Sequence, residues 1–159
     1  MRTPAADHST AYGLAGAALL GIATGMRSTA GLGMVILRDG DGGASRLPGP
    51  LRTRPAKAAA VLAIGAELVL DKLPITGSRL DAPGLIGRVA FAGIAAALAA
   101  RGSGIGPVPA ALVAAGSAVV AAKICHDLRA RAAQRIPDAA VAGAEDLLSL
   151  RIAGVAARR

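Results

Sequence analysis

Four apolar stretches set the limits on what this chain can fold into. They run over residues 11–37, 56–73, 84–100 and 107–124. At about 1.5 Å per residue, roughly 20 helical residues cross the hydrocarbon core of a bilayer, so each stretch is at or near spanning length. The first is longer than needed and carries Arg27-Ser28-Thr29 inside it. That predicts either one tilted helix or a helix broken near Arg27. Residues 38–56 read as a loop, because Asp39-Gly40-Asp41-Gly42-Gly43 and Leu47-Pro48-Gly49-Pro50 terminate helices. Pro74 follows the second stretch, and Arg101-Gly102-Ser103-Gly104 follows the third. Residues 1–10 are polar and read as a disordered N-terminus. Residues 11–157 read as a single membrane-embedded helical domain.

The kind of apolar residue narrows the choice further. Apolar residues make up 53% of the chain, yet Tyr12 and Phe91 are its only aromatic side chains. A water-soluble core of this size would carry more large rings. Here Ala, Val, Leu, Ile and 21 glycines supply the bulk. In lipid no hydrophobic force drives helices together, so close backbone approach through small residues must do so. The composition therefore fits a packed membrane bundle, although it lacks the usual Trp/Tyr belt. Asp7 and His8 precede the first apolar run and Arg27 follows it, which reads as a retained span rather than a cleaved signal.

The last segment differs from the others. Ile136-Pro137-Asp138 breaks the chain, Asp138 is a plausible N-cap, and an amphipathic helix over 139–157 contains Glu145 and Asp146. It is too charged for an ordinary span and reads as interfacial or re-entrant, packed on the bundle. The expected fold is all-α: a polytopic membrane helix bundle of about four transmembrane helices plus this C-terminal helix. The expected location is the cell inner (plasma) membrane, multi-pass, with membrane lipids as partners. The net charge of +8 fits arginines flanking spans and meeting anionic headgroups. Nucleic acid is not an expected partner, because the positive residues form no continuous stripe and no aromatic platform accompanies them. Arginine-rich segments follow both the first and the fourth stretch, so the positive-inside rule leaves orientation open.

Few residues offer chemistry. Cys125 is the only cysteine, which excludes an intrachain disulfide or a CxxC metal site. His8 and His126 are far apart, so neither metal nor cofactor is expected. Cys125-His126-Asp127 are neighbours on one helix and point in different directions, so they cannot form a triad. No phosphate loop, nucleophile elbow or metal-helix motif is present, and an enzyme is not expected. Glu67 and Asp71 stand i, i+4 on one helix face, with Lys72 beside them. Such a carboxylate pair needs Arg, Lys, a cation or a proton, which Arg27 or Arg88 could supply from a neighbouring span. Arg27 lies inside an apolar run, where a guanidinium costs several kcal/mol unless it is paired or the helix breaks there. Gly21 and Gly25 form a GxxxG groove for helix packing, within the chain or between copies. A Gly/Arg segment precedes an acidic one twice, as Gly21 to Arg27 before Glu67 and Gly84 to Arg88 before Glu145-Asp146.

Several of these stretches together resemble the domain of unknown function 4126 family of small bacterial membrane proteins. They are Gly21-Ile22-Ala23-Thr24-Gly25-Met26-Arg27, Leu47-Pro48-Gly49-Pro50, and Glu67-Leu68-Val69-Leu70-Asp71-Lys72-Leu73-Pro74 with Asp81 soon after. His126 and Glu145-Asp146 complete the likeness, which covers about residues 11–150. The resemblance implies a small polytopic membrane protein and supplies no activity. It marks Arg27, Glu67, Asp71, Lys72, His126, Glu145 and Asp146 as the matching polar positions.

The residues point first to a small transporter or channel-like protein, cation- or proton-linked through an intramembrane Glu/Asp site and homo-oligomeric, moving a small ion or solute. The alternative is a structural or assembly membrane protein that binds partners or lipids through Gly-rich helix faces. In that reading the same charges are static ion pairs.

Overall fold

A computed structural model describes residues 4–40, 45–70, 82–101, 103–132 and 134–158, the side chains of 4–9 and 12 excepted. Among these residues the fold is all-α. Six helices follow one another: α1 (Pro4–Met26), α2 (Ala30–Leu37), α3 (Arg54–Leu70), α4 (Ala82–Ala99), α5 (Pro107–Ala132) and α6 (Asp138–Ala156). A 3-10 turn, Gly49–Arg52, precedes α3. The helix α1 begins inside the segment whose polarity suggests disorder. Pro4 suits a first helical position, because its missing N–H has no partner to lose there and its φ is preset.

The first apolar stretch is broken, not tilted. Arg27 N–H still donates to the Ala23 carbonyl (2.9 Å), and the helical pattern resumes with Gly33 N–H on the Thr29 carbonyl (2.8 Å). Between them the chain turns at Ser28-Thr29, two residues whose short polar side chains favour turns and caps over helix interiors. The result is a long helix α1, a three-residue elbow (Arg27-Ser28-Thr29) and a short helix α2.

Helix α1 is the centre of the molecule. It packs most extensively on α5 and also on α6, α4 and α2, while α4 and α5 pack on each other. Small residues make this possible. A Cβ at Gly21 would run into the Ala114 carbonyl of α5, and one at Gly25 would run into the Ala118 carbonyl and lie 2.8 Å from the Ala121 Cβ. The Gly21/Gly25 groove is therefore filled from within the same chain. Alanines line the opposing surfaces: Ala17 and Ala23 of α1, Ala92, Ala95 and Ala96 of α4, and Ala110, Ala114 and Ala118 of α5 are all buried. The largest fully buried side chains are only Leu20, Thr24 and Ser149.

The large apolar side chains lie outside. Leu62 and Val69 of α3, Ile86 and Ile94 of α4, Leu112 and Val120 of α5, and Leu147 of α6 are exposed. Among the described residues two helices, α4 and α5, are long and apolar enough to cross a membrane, and only 22% and 28% of their apolar windows are buried within the chain. Helix α6 buries Ala142, Glu145, Asp146, Ser149, Ala153 and Gly154 at helical spacing, and it contacts α1 and α2. Its first residue is Asp138, with Pro137 in the N-cap position and no side-chain cap. The Asp138 carboxylate is instead taken by Arg129 of α5.

Candidate functional site: the charged elbow

Breaking a helix leaves backbone N–H groups without their usual acceptors. At the elbow, one carboxylate collects them. Glu67 Oε1 accepts from Ser28 N–H (2.6 Å), and Oε2 accepts from Thr29 N–H (2.8 Å) and from the Thr29 hydroxyl (2.6 Å). Thr29 itself makes no side-chain cap. Glu67 therefore caps α2 from a different helix. A negative charge at a helix N-terminus is favoured by the helix dipole, by roughly 0.3–1 kcal/mol where exposed. Hydrogen bonds to a charged group are worth about 1.5–3 kcal/mol.

The other end of α2 is held by the same partner. Lys57 Nζ donates to the Leu37 and Asp39 carbonyls (3.4 Å each). Acid at the N-terminus and lysine at the C-terminus both suit the dipole. Between them Ala60 is buried and Ile64 sits where a Cβ on Gly33 would be 2.6 Å from its Cδ1. Residues 57, 60, 64 and 67 follow i, i+3, i+7, i+10 spacing, one face of α3. That face runs antiparallel along α2, and α3 has no other extensive partner among the helices.

The elbow is also crossed by arginines. Arg27, only 2% exposed, forms an ion pair with Asp146 of α6. Arg88 of α4, also buried, donates from Nε to the Ser28 hydroxyl (3.3 Å). Beyond Asp146 the charges continue towards the surface. Arg129 lies 3.7 Å from Glu145 and holds Asp138 in a bidentate pair (2.7 and 2.6 Å). Opposite charges thus alternate from exposed Asp138 through Arg129, Glu145-Asp146 and Arg27 to the elbow and Glu67. In such a series each charge has an opposite neighbour that offsets part of the cost of its burial.

The sequence-selected residues divide into four groups. Arg27, Arg88, Glu67 and Asp146 meet at or beside the elbow, and Glu145 joins them through Arg129. Gly21 and Gly25 serve α1/α5 packing. His126 is half-buried in the last turns of α5, with no hydrogen bond to the elbow among the described residues. Asp71 and Lys72 lie outside the described residues, as does Asp81. Arg27 pairs with Asp146 of α6, an acidic partner from the last helix. Lys57 is not among the residues the sequence singles out; the signal that could have found it is the 57-60-64-67 stripe. Among the described residues no three His, Cys, Asp or Glu side chains group as a metal site. Asp127 pairs with Lys123 (2.8 Å), not with His126. An apolar cavity of about 450 Å³ lies between α1 and α5, but no charged side chain lines it. Comparison with protein-family models, curated proteins and solved structures finds no match for the chain.

Proposed function

We propose that this chain is a small multi-pass inner-membrane protein, of the kind the domain of unknown function 4126 resemblance implies, whose charged elbow is a cation- or proton-linked site for transport. The outward placement of large apolar side chains over an alanine, glycine and ion-pair interior supports the membrane reading. In water that arrangement would expose apolar surface on most helices. In lipid it hydrogen-bonds the charges internally and turns Leu, Ile and Val to the hydrocarbon.

The observation that carries the transport reading is the position of Glu67. A discontinuous helix with a charged group at its half-helix N-terminus is the usual construction of secondary-transporter sites. Here that group is a half-buried carboxylate on α3, the least embraced helix. In this reading a proton or cation competes with the α2 N–H groups for Glu67, and α3 moves when it wins. The four short spans enclose little volume, so the pathway runs between subunits of a homo-oligomer. The test is proton and monovalent-cation flux into liposomes, wild type beside Glu67→Gln. Flux abolished by the variant supports the site; flux unaffected by it overturns the assignment of Glu67.

The closed Arg27–Asp146 pair favours a second reading, in which the charges are fixed interhelical ties of a structural or assembly protein. A folded, reconstituted protein with no flux of either ion selects that reading.

A further inference from the structure

We infer that the α1/α5 cavity binds one acyl chain of an anionic lipid, with the headgroup at Arg131. The cavity holds about 450 Å³ and is lined by Ile22 and Met26 of α1 and by Gly116, Ser117, Val120, Ala121, Ile124 and Cys125 of α5. It is therefore a long apolar groove along α5. The proposal rests on the membrane reading above.

Charge decides the occupant. Leu128 and Arg131 follow Ile124 by four and seven residues, so they continue the groove stripe along the same face of α5. Both are exposed. Arg131 stands ~10 Å beyond Ile124 along the helix axis. With 26 residues, α5 is ~39 Å long, against ~30 Å of hydrocarbon. Its last turns thus extend to headgroup depth when its Pro107 end sits at the opposite boundary. Nearby, Lys123 binds Asp127 (3.0 and 2.8 Å), and Arg131 also acts on Asp127, so two cations share one carboxylate and the local sign is positive. A chain in the groove then has its phosphate beside a guanidinium. A second copy fits this face poorly. Copies inserted the same way and related by a twofold axis along the membrane normal would set two Arg131 ends side by side, on a chain that already carries +8.

The experiment is native mass spectrometry of the full chain in detergent with equal phosphatidylglycerol and phosphatidylcholine of one chain length. The wild type is expected to retain phosphatidylglycerol about fivefold over phosphatidylcholine, the preference one surface arginine supplies. Arg131→Gln is expected to bring that ratio close to one while a single lipid remains bound. Gly116→Leu fills the groove, since a Cβ there meets nothing within 4 Å, and is expected to remove bound lipid of both kinds. Leucine also favours helix over glycine, so loss of lipid would not signal unfolding. Equal retention of both lipids by the wild type overturns the headgroup assignment. Full retention by Gly116→Leu overturns the groove, and lipid-free dimers would assign it to a second copy. Alkaline carbonate extraction of membranes separates the two levels. Protein released to the supernatant refutes the membrane reading, whereas protein kept in the pellet without lipid preference refutes only this proposal.

Discussion

Helices α1 and α3 come from apolar stretches of similar appearance, yet the fold treats them differently. Helix α1 is enclosed by α5, α6, α4 and α2, with Leu20, Ala23, Thr24, Met26 and the adjoining Arg27 buried. Helix α3 buries only Ala60 and lies along α2. The difference is not hydrophobicity. Leu62, Val69 and Leu70 make α3 rich in large apolar side chains, and these are the exposed ones. What draws a helix into this interior is the ability to let a backbone approach, through Gly21 and Gly25, and to offer a charge that another helix answers, through Arg27. Among the described residues helix α3 offers one clamp face, which meets α2, and a smaller contact with the Gly49–Arg52 turn.

The comparison breaks most severely at Arg27. Arg27→Met leaves Asp146 buried beside an apolar side chain, and removing one partner of a buried pair costs about 3–5 kcal/mol. Reversible unfolding in mixed micelles should show that loss for the whole bundle. Arg27→Met with Asp146→Leu should recover much of it, because no charge is left uncompensated. If the single variant is as stable as the wild type, α1 is not centred by its charge. Next in size is Gly25→Leu, which forces α1 from the Ala118 carbonyl. Overpacking of this kind costs about 1–3 kcal/mol, and the same measurement should place it below Arg27→Met. A Gly65→Leu change on α3, where a Cβ meets nothing within 4 Å, should leave the midpoint unchanged or raise it.

The sequence shows why some of this is legible and some is not. The Gly/Pro punctuation lies where α3, α4, α5 and α6 begin, whereas α1 already begins at Pro4 and α5 runs on to Ala132. The elbow is legible because Arg27-Ser28-Thr29 interrupts an apolar run. The Arg27 partner is not, because Glu67, Asp71, Glu145 and Asp146 offer the same charge and nothing local ranks them. Which helix becomes central is equally hidden, since it depends on which small-residue faces meet. Gly21-x-x-x-Gly25 marks a groove without naming Ala114 and Ala118 as what fills it. Asp138 misleads for a related reason: its spacing suits an N-cap, but Arg129, nine residues earlier, takes the carboxylate.

A change at Glu67 sharpens the contrast instead of abolishing it. Glu67→Gln keeps one oxygen acceptor and replaces the other with an amide donor facing Ser28 or Thr29 N–H. A lost cap costs roughly 0.5–2 kcal/mol. Because α3 packs mainly on α2 among the described residues, the loss should fall on that pair. Amide exchange should quicken in α3 and at residues 28–33 while α1 and α5 keep their protection. Uniform acceleration across all helices would show that α3 is as integrated as α1.

The smallest effect tests the far end of the same clamp. Asp39 lies just after α2 and accepts from the Ser45 hydroxyl and from Arg46 N–H (3.0 Å). Slight burial alone would raise its pKa, but these bonds, one from Leu47 N–H and the charge of Arg52 together hold it below the ordinary 3.8. A depressed folded pKa means the stabilisation is fully present above the unfolded value and is lost as pH falls through the folded one. The tie should therefore be intact at pH 7 and fail only below about pH 4. The group is largely exposed, so the midpoint of global unfolding should not follow it. Exchange at the Arg46 amide, which donates to the Asp39 carboxylate, should report the loss locally, and Asp39→Asn should show it already at pH 7. Loosening that spreads to α1 would mean that the loop, and not the elbow, anchors α2 to the bundle.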